Sequence, residues 1–209
     1  MNAIGRSRMR RLLAIGLLVV PVAANVAHAQ PQGSDRCEIK KIRATSSYAS
    51  CRYLAEWRAV RSGNPVDFAT CDDRLTRDWD KAERYQGVDC PDGRGPLATL
   101  QADAETHTDT VAAGILAPAA EDEEPCSAKK IRAAGQATRC RLNAEAKALA
   151  KNDGRFPQFT RCSLKLNRNW ARAEGQGGAD CPGGSGVLAD VTTEVETYTD
   201  SVRTQFEAP

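Results

Sequence analysis

Apolar residues recur along this chain at three- and four-residue steps, and no stretch alternates β-branched and polar residues. That periodicity predicts helices and no sheet. Over residues 37–62 one stripe runs through Ile39, Ile42, Ser46, Ala49, Tyr53, Trp57 and Val60. A second stripe lies roughly opposite, through Cys37, Ala44, Tyr48, Cys51 and Ala55. A helix with two buried faces sits between its neighbours. A second helix is predicted over about 67–87, with Phe68, Cys71, Leu75, Trp79 and Ala82 on its apolar face. A third, over about 96–116, carries Leu97, Leu100, Ala104, His107, Val111 and Ile115. Gly63-Asn64-Pro65 and Cys90-Pro91-Asp92-Gly93 break the three apart, because Gly and Pro interrupt helical periodicity.

The pattern then repeats. Cys37 to Ala44 (CEIKKIRA) answers to Cys126 to Ala133 (CSAKKIRA), and Cys51-Arg52 to Cys140-Arg141. Leu75 and Trp79 answer to Leu166 and Trp170, Asp89-Cys90-Pro91 to Asp180-Cys181-Pro182, and Glu105-Thr106-His107-Thr108-Asp109 to Glu196-Thr197-Tyr198-Thr199-Asp200. Internal repetition of this kind predicts a duplicated structural unit. Residues 37–116 form the first four-Cys helical module and 126–207 the second. The acidic Pro/Ala stretch 117–125 reads as a short linker,. The expected fold class is all-α: two tandem disulfide-stapled three-helix modules.

Residues 1–29 belong to neither copy. Arg6, Arg8, Arg10 and Arg11 precede the apolar run Leu12–Val20, and Ala27-His28-Ala29 closes the segment with small residues. This is the three-part plan of a secretory signal peptide cleaved after Ala29, leaving 30–36 as an N-terminal tail. The expected location is the periplasm or the medium of a bacterium, with no membrane span after cleavage. The leader also accounts for the charge. Removing its four arginines from 29 basic residues leaves 25 against 27 acidic ones, so the remainder is slightly negative. A basic nucleic-acid-binding surface is not expected.

Eight cysteines in an exported chain, four per copy, predict disulfides,. Cys37 and Cys51 lie 14 residues apart in one helix, a rise of about 21 Å, and so cannot pair. An antiparallel hairpin favours the nested arrangement Cys37–Cys90 with Cys51–Cys71, over the crossed Cys37–Cys71 with Cys51–Cys90. By repetition, Cys126–Cys181 and Cys140–Cys162 follow. Close C-x-x-C pairs for zinc or redox chemistry are missing,, and neither metal nor cofactor is expected.

Candidate chemistry is sparse. His107, between Glu105 and Asp109, has the neighbours of a general base, but it lies on the apolar stripe and its counterpart is Tyr198; a packing histidine is the better reading. Trp79 and Trp170 read as core anchors rather than stacking platforms. Lys40, Lys41 and Arg43, with Lys129, Lys130 and Arg132, form a short basic patch in each copy that suits an anionic lipid or sugar acid,. Asp72, Asp73, Asp78 and Asp80 crowd the second helix, but copy two has Ser163, Leu164, Asn169 and Ala171 there and no calcium loop exists,.

Taken together, C-x2-K-K-I-R-A, a second Cys 14 residues on, and a late W-x-x-A-E with D-C-P resemble the four-cysteine helical modules found singly or in tandem in uncharacterised secreted bacterial proteins. The resemblance implies a helical, disulfide-tied, exported module and brings no activity or catalytic residue. The expected function is a non-enzymatic exported binding or structural protein, with an unidentified protein or cell-envelope component as partner. The alternatives are a cell-envelope-directed hydrolase using carboxylates such as Glu105 and Asp109, and a secreted inhibitor or effector.

Overall fold

A computed structural model describes residues 33–84, 96–117, 124–151, 157–177, 181 and 185–207. The expected signal peptide, residues 30–32 of the tail and Cys90 lie outside the described residues, as do positions 118–123 of the expected linker. Six α-helices follow one another: α1 Gly33–Ser62, α2 Ala69–Glu83, α3 Leu97–Leu116, α4 Glu124–Lys151, α5 Thr160–Gly177 and α6 Ser185–Glu207. Among the described residues there is no strand.

The helix ends follow local chemistry. Gly63 stops α1 at φ +65°, the left-handed conformation that glycine adopts without a Cβ penalty. The Asp67 carboxylate accepts the Ala69 N–H at 2.9 Å, which satisfies a donor at the start of α2,. Pro96 precedes α3 in an extended conformation. Glu124 and Pro125, expected as the last residues of the linker, instead open α4. Proline's fixed φ and missing N–H suit a helix's first turn.

α1 packs against α2, α3 and α4, and α4 against α1, α3, α5 and α6. The two longest helices thus lie against each other at the centre. α2 needs only one buried face, made of Cys71, Leu75, Trp79 and Ala82. α1 buries both predicted stripes: Ile39, Ile42, Ala49 and Tyr53 on one side, Cys37, Ala44 and Tyr48 on the other.

The core is divided differently from the repeat. One cluster joins Ile39, Tyr48, Leu75, Trp79 and Leu100 to Leu142 and Ala146 of α4 and to Tyr198, Val202 and Phe206 of α6. The other joins Ile131, Leu166, Trp170, Val191 and Val195 to Tyr53 of α1 and to Val111, Ala112 and Ile115 of α3. Each cluster therefore borrows residues from both copies, reciprocally. His107 and its counterpart Tyr198 stack on one another, centroids 4.3 Å apart and planes 8° from parallel. Equivalent residues meet in this way at an approximate two-fold axis. Where α1 and α4 cross, a Cβ on Gly135 would stand 2.5 Å from Cβ of Tyr53. Only glycine admits the aromatic side chain at that separation.

Cys51 is bonded to Cys71, Cys140 to Cys162 and Cys126 to Cys181, with Cα–Cα distances of 5.6, 5.5 and 5.7 Å. These are three pairs of the nested arrangement. Cys37 is also disulfide-bonded. The bridges tie α1 to α2, α4 to α5, and the start of α4 to the segment between α5 and α6.

Candidate functional site

The candidate residues fall into three settings: a buried ionic framework, a neutral polar centre and one open groove. The framework takes the cations that sit beside the conserved-in-register Trp and Cys positions of the repeat. Lys41, expected at the surface, is buried at 4% exposure, with its ammonium 3.2 Å from Glu83 and 4.8 Å from the centre of the Trp79 ring. Lys130 repeats this at 1% exposure, 3.3 Å from Glu174 and 4.9 Å from the Trp170 ring. Each indole N–H donates to the same glutamate, Trp79 to Glu83 and Trp170 to Glu174, both at 2.9 Å. Trp79 and Trp170 are core anchors whose polar edge is used internally.

A second pair of buried cations was not singled out from the sequence. The Arg52 Nε–H donates to Thr108 at 2.9 Å and an NH2 group to Asp109 at 2.8 Å, with the guanidinium 3.6 Å from the Phe68 ring centre. Arg141 does the same with Thr199 at 3.0 Å, Glu196 at 3.0 Å and Phe159 at 3.9 Å. The signal was present: both arginines follow the second Cys of their copy, and both threonines keep register on the third helix. Glu105 and Asp109 thus face Arg52 and not His107. Burial pushes the Glu105 carboxyl up, but bonds from Gln101 and Tyr48 and the Arg52 charge outweigh this and hold it below its ordinary value,. The Tyr48 hydroxyl lies 2.7 Å from Asp72 and 2.8 Å from Glu105. Burial and those two acceptors raise its pKa far above the usual phenol value.

The four aspartates of α2 do not converge. Asp72 accepts from Tyr48, Asp78 pairs with Lys81 at 3.7 Å and Asp80 with Arg84 at 3.2 Å. Among the described residues no group of three or more His, Cys, Asp or Glu side chains is placed to hold a metal.

His107 occupies the neutral centre. It is 4% exposed, with Nε2 2.9 Å from the Tyr53 hydroxyl and 3.3 Å from Thr138 Oγ1. The Thr138 hydroxyl already donates to the Ala134 carbonyl at 3.1 Å, so its oxygen is left to accept. An imidazole protonated on Nε2 therefore uses its N–H, and only the Nδ1 lone pair lacks a partner,. Burial lowers its pKa to about 3, so the ring is neutral at ordinary pH.

The remaining cations outline a groove between α4 and α5. Lys129, Arg132, Ala133 and Gln136 follow one another at three- and four-residue steps on α4, while Asn169, Arg172 and Ala173 do so on α5. Two such stripes face each other when helices pack side by side. They border an open concavity of about 350 Å³, within the roughly 300–1,000 Å³ of small-molecule sites. The two alanines are buried, the amides half-buried and the three cations exposed. Asn169 Nδ2 donates to Gln136 Oε1 at 2.8 Å, which holds the amides in place. Among the described residues no carboxylate lines the groove.

Of the sequence-level candidates, the groove therefore gathers Lys129 and Arg132, and adds Arg172, Asn169 and Gln136. Lys130 is directed into the core instead. In copy one Arg43 is exposed and Lys40 half-buried. Comparison with protein-family models, curated proteins and solved structures found no match to this chain. No described helix is long and apolar enough to cross a membrane.

Proposed function

We propose that the chain is an exported, non-enzymatic binding protein, with two tandem helical modules, joined between α3 and α4, acting as a rigid scaffold. The α4–α5 groove is the observation that carries this reading. It is an open concavity of small-molecule size, lined by three cations and two mutually oriented amides, and flanked by the Cys140–Cys162 bridge that ties its two helices together. Disulfides between the walls limit how far they move, which lowers the ordering cost of binding. The three disulfides are consistent with an oxidising compartment,.

The test is retention. Oxidised chain is immobilised and exposed to soluble cell-envelope extract, and bound material is released with salt. Recovery from the unaltered chain and its loss from R132E/R172E is expected. Both substitutions are at exposed positions, so unchanged circular dichroism checks the fold. Equal recovery from the two proteins refutes the groove as the binding surface.

A further inference from the structure

We infer that the groove takes an anionic saccharide, a sugar carrying a carboxylate or a phosphate, and that copy two alone provides the site. The inference rests on the reading of this chain as a binding protein.

The repeat supplies an internal comparison. Residues equivalent to the groove in copy one are Lys40, Arg43, Ala44 and Ser47 on α1, with Asp78, Lys81 and Ala82 on α2. The alanine floor and the first two cations are kept. Two differences bear on charge. Asn169 stands where copy one has Asp78, and Asp78 neutralises the neighbouring Lys81 across 3.7 Å. Arg172, at the position of Lys81, has no such carboxylate among the described residues that line its groove. Among the described residues, the copy-two groove thus presents three positive charges and no negative one.

The second difference comes from the opposite copy. The Arg132 guanidinium lies over the Trp57 ring of α1 at 5.2 Å, and Arg61 lies 5.0 Å from the same ring. The position equivalent to Trp57 in copy two is Ala146, so Arg43 has no matching aromatic partner there. Cation–π contact leaves the guanidinium's N–H groups available while restricting its motion. Trp57 is therefore a positioning residue for Arg132. Guanidinium groups recognise carboxylate and phosphate through paired N–H donors. The Gln136–Asn169 pair adds amide donors and acceptors suited to hydroxyl groups, over a floor of Ala133 and Ala173 that leaves room for a ring.

Isothermal titration of the oxidised full chain at low salt tests this, with tri-galacturonate and glucose 1-phosphate as the charged probes. Maltotriose and inorganic phosphate serve as the controls. One site per chain is expected for at least one charged sugar, weakened about tenfold or more by added salt. N169D, which restores the copy-one acid, is expected to weaken binding about tenfold, since a like charge opposes the ligand's anion. K81A, in copy one, leaves it unchanged. W57L weakens binding less than R132A, and its unfolding midpoint identifies any loss that comes from stability. Four outcomes overturn the inference: maltotriose or inorganic phosphate binding as tightly as the charged sugars, N169D binding like the unaltered chain, two equivalent sites, or no binding of either charged sugar. Envelope material that R132E/R172E fails to retain, together with no binding of either probe, removes the ligand class and leaves the binding-protein reading standing.

Discussion

Acid should destabilise this protein through His107, and the effect can be isolated. The ring is 4% exposed and faces Tyr53 of α1, Thr138 of α4 and Tyr198 of α6. None of these titrates in the acid range or offers a carboxylate to an imidazolium. Its folded pKa of about 3 lies below the ordinary imidazole value of 6.5, so on acidification the unfolded chain takes up the proton first. Folding stability is then intact above about pH 6.5 and falls as pH drops from there towards 3, at about 1.4 kcal/mol per pH unit. Between pH 7 and pH 5 the loss is about 2 kcal/mol. Urea unfolding of the unaltered chain and His107→Gln, at several pH values, provides the measurement. Carboxylates such as Glu105 contribute to both chains, so the difference between the two pH slopes belongs to His107. The imidazole resonance should also stay in its neutral position down to about pH 4, as burial without an anionic partner requires. Parallel slopes for the two proteins, or an imidazole that titrates near 6.5 while the chain is folded, would refute the reasoning.

Three further outcomes follow from the packing. Gly135→Ala places a methyl 2.5 Å from Tyr53 Cβ, and should lower stability by about 1–3 kcal/mol or more in urea titrations; the same change at Gly114, which has open space around it, should cost far less. Thr108→Val and Thr199→Val each leave a buried Arg Nε–H without its acceptor. Each should cost about 1–3 kcal/mol, and a loss under half of that would mean the arginines find another partner. Replacing both cysteines of the 55-residue Cys126–Cys181 loop should cost about 4 kcal/mol, against about 3 for the 20-residue Cys51–Cys71 loop, if chain entropy governs,; the reverse order in thermal unfolding would contradict that.

Much of the architecture was legible because it is local. The three- and four-residue recurrence of Cys71, Leu75, Trp79 and Ala82 is a property of one helix, and all four are buried as that period requires,. Cysteine spacing carried over for the same reason: a rise of about 1.5 Å per residue excludes bonds within a helix, and what it leaves includes Cys51–Cys71 and Cys140–Cys162. His107 was placed by its stripe, and its burial fits a packing residue. The charged residues were harder. Lys40 and Lys41 are adjacent in sequence but point about 100° apart on a helix, and charge alone does not tell which turns inward. Lys41 does so because Glu83 and Trp79 receive its ammonium. The repeated combination of Lys, Trp and Glu in both copies was the available clue.

The sequence alone determined the helical periodicity, the internal repetition and the pairings Cys51–Cys71, Cys140–Cys162 and Cys126–Cys181, since each depends on residues close in the chain or on their exact recurrence. It did not determine how the copies meet. That depends on Tyr53 lying over Gly135, 82 positions away, and on His107 facing its own counterpart. Nor could it separate the two basic stretches, which read alike. Only the tertiary structure set Arg132 against Trp57 from the other copy, and Asn169 beside Gln136 between α4 and α5. Charge becomes a binding surface when its neighbours neither neutralise nor bury it, and those neighbours come from other helices.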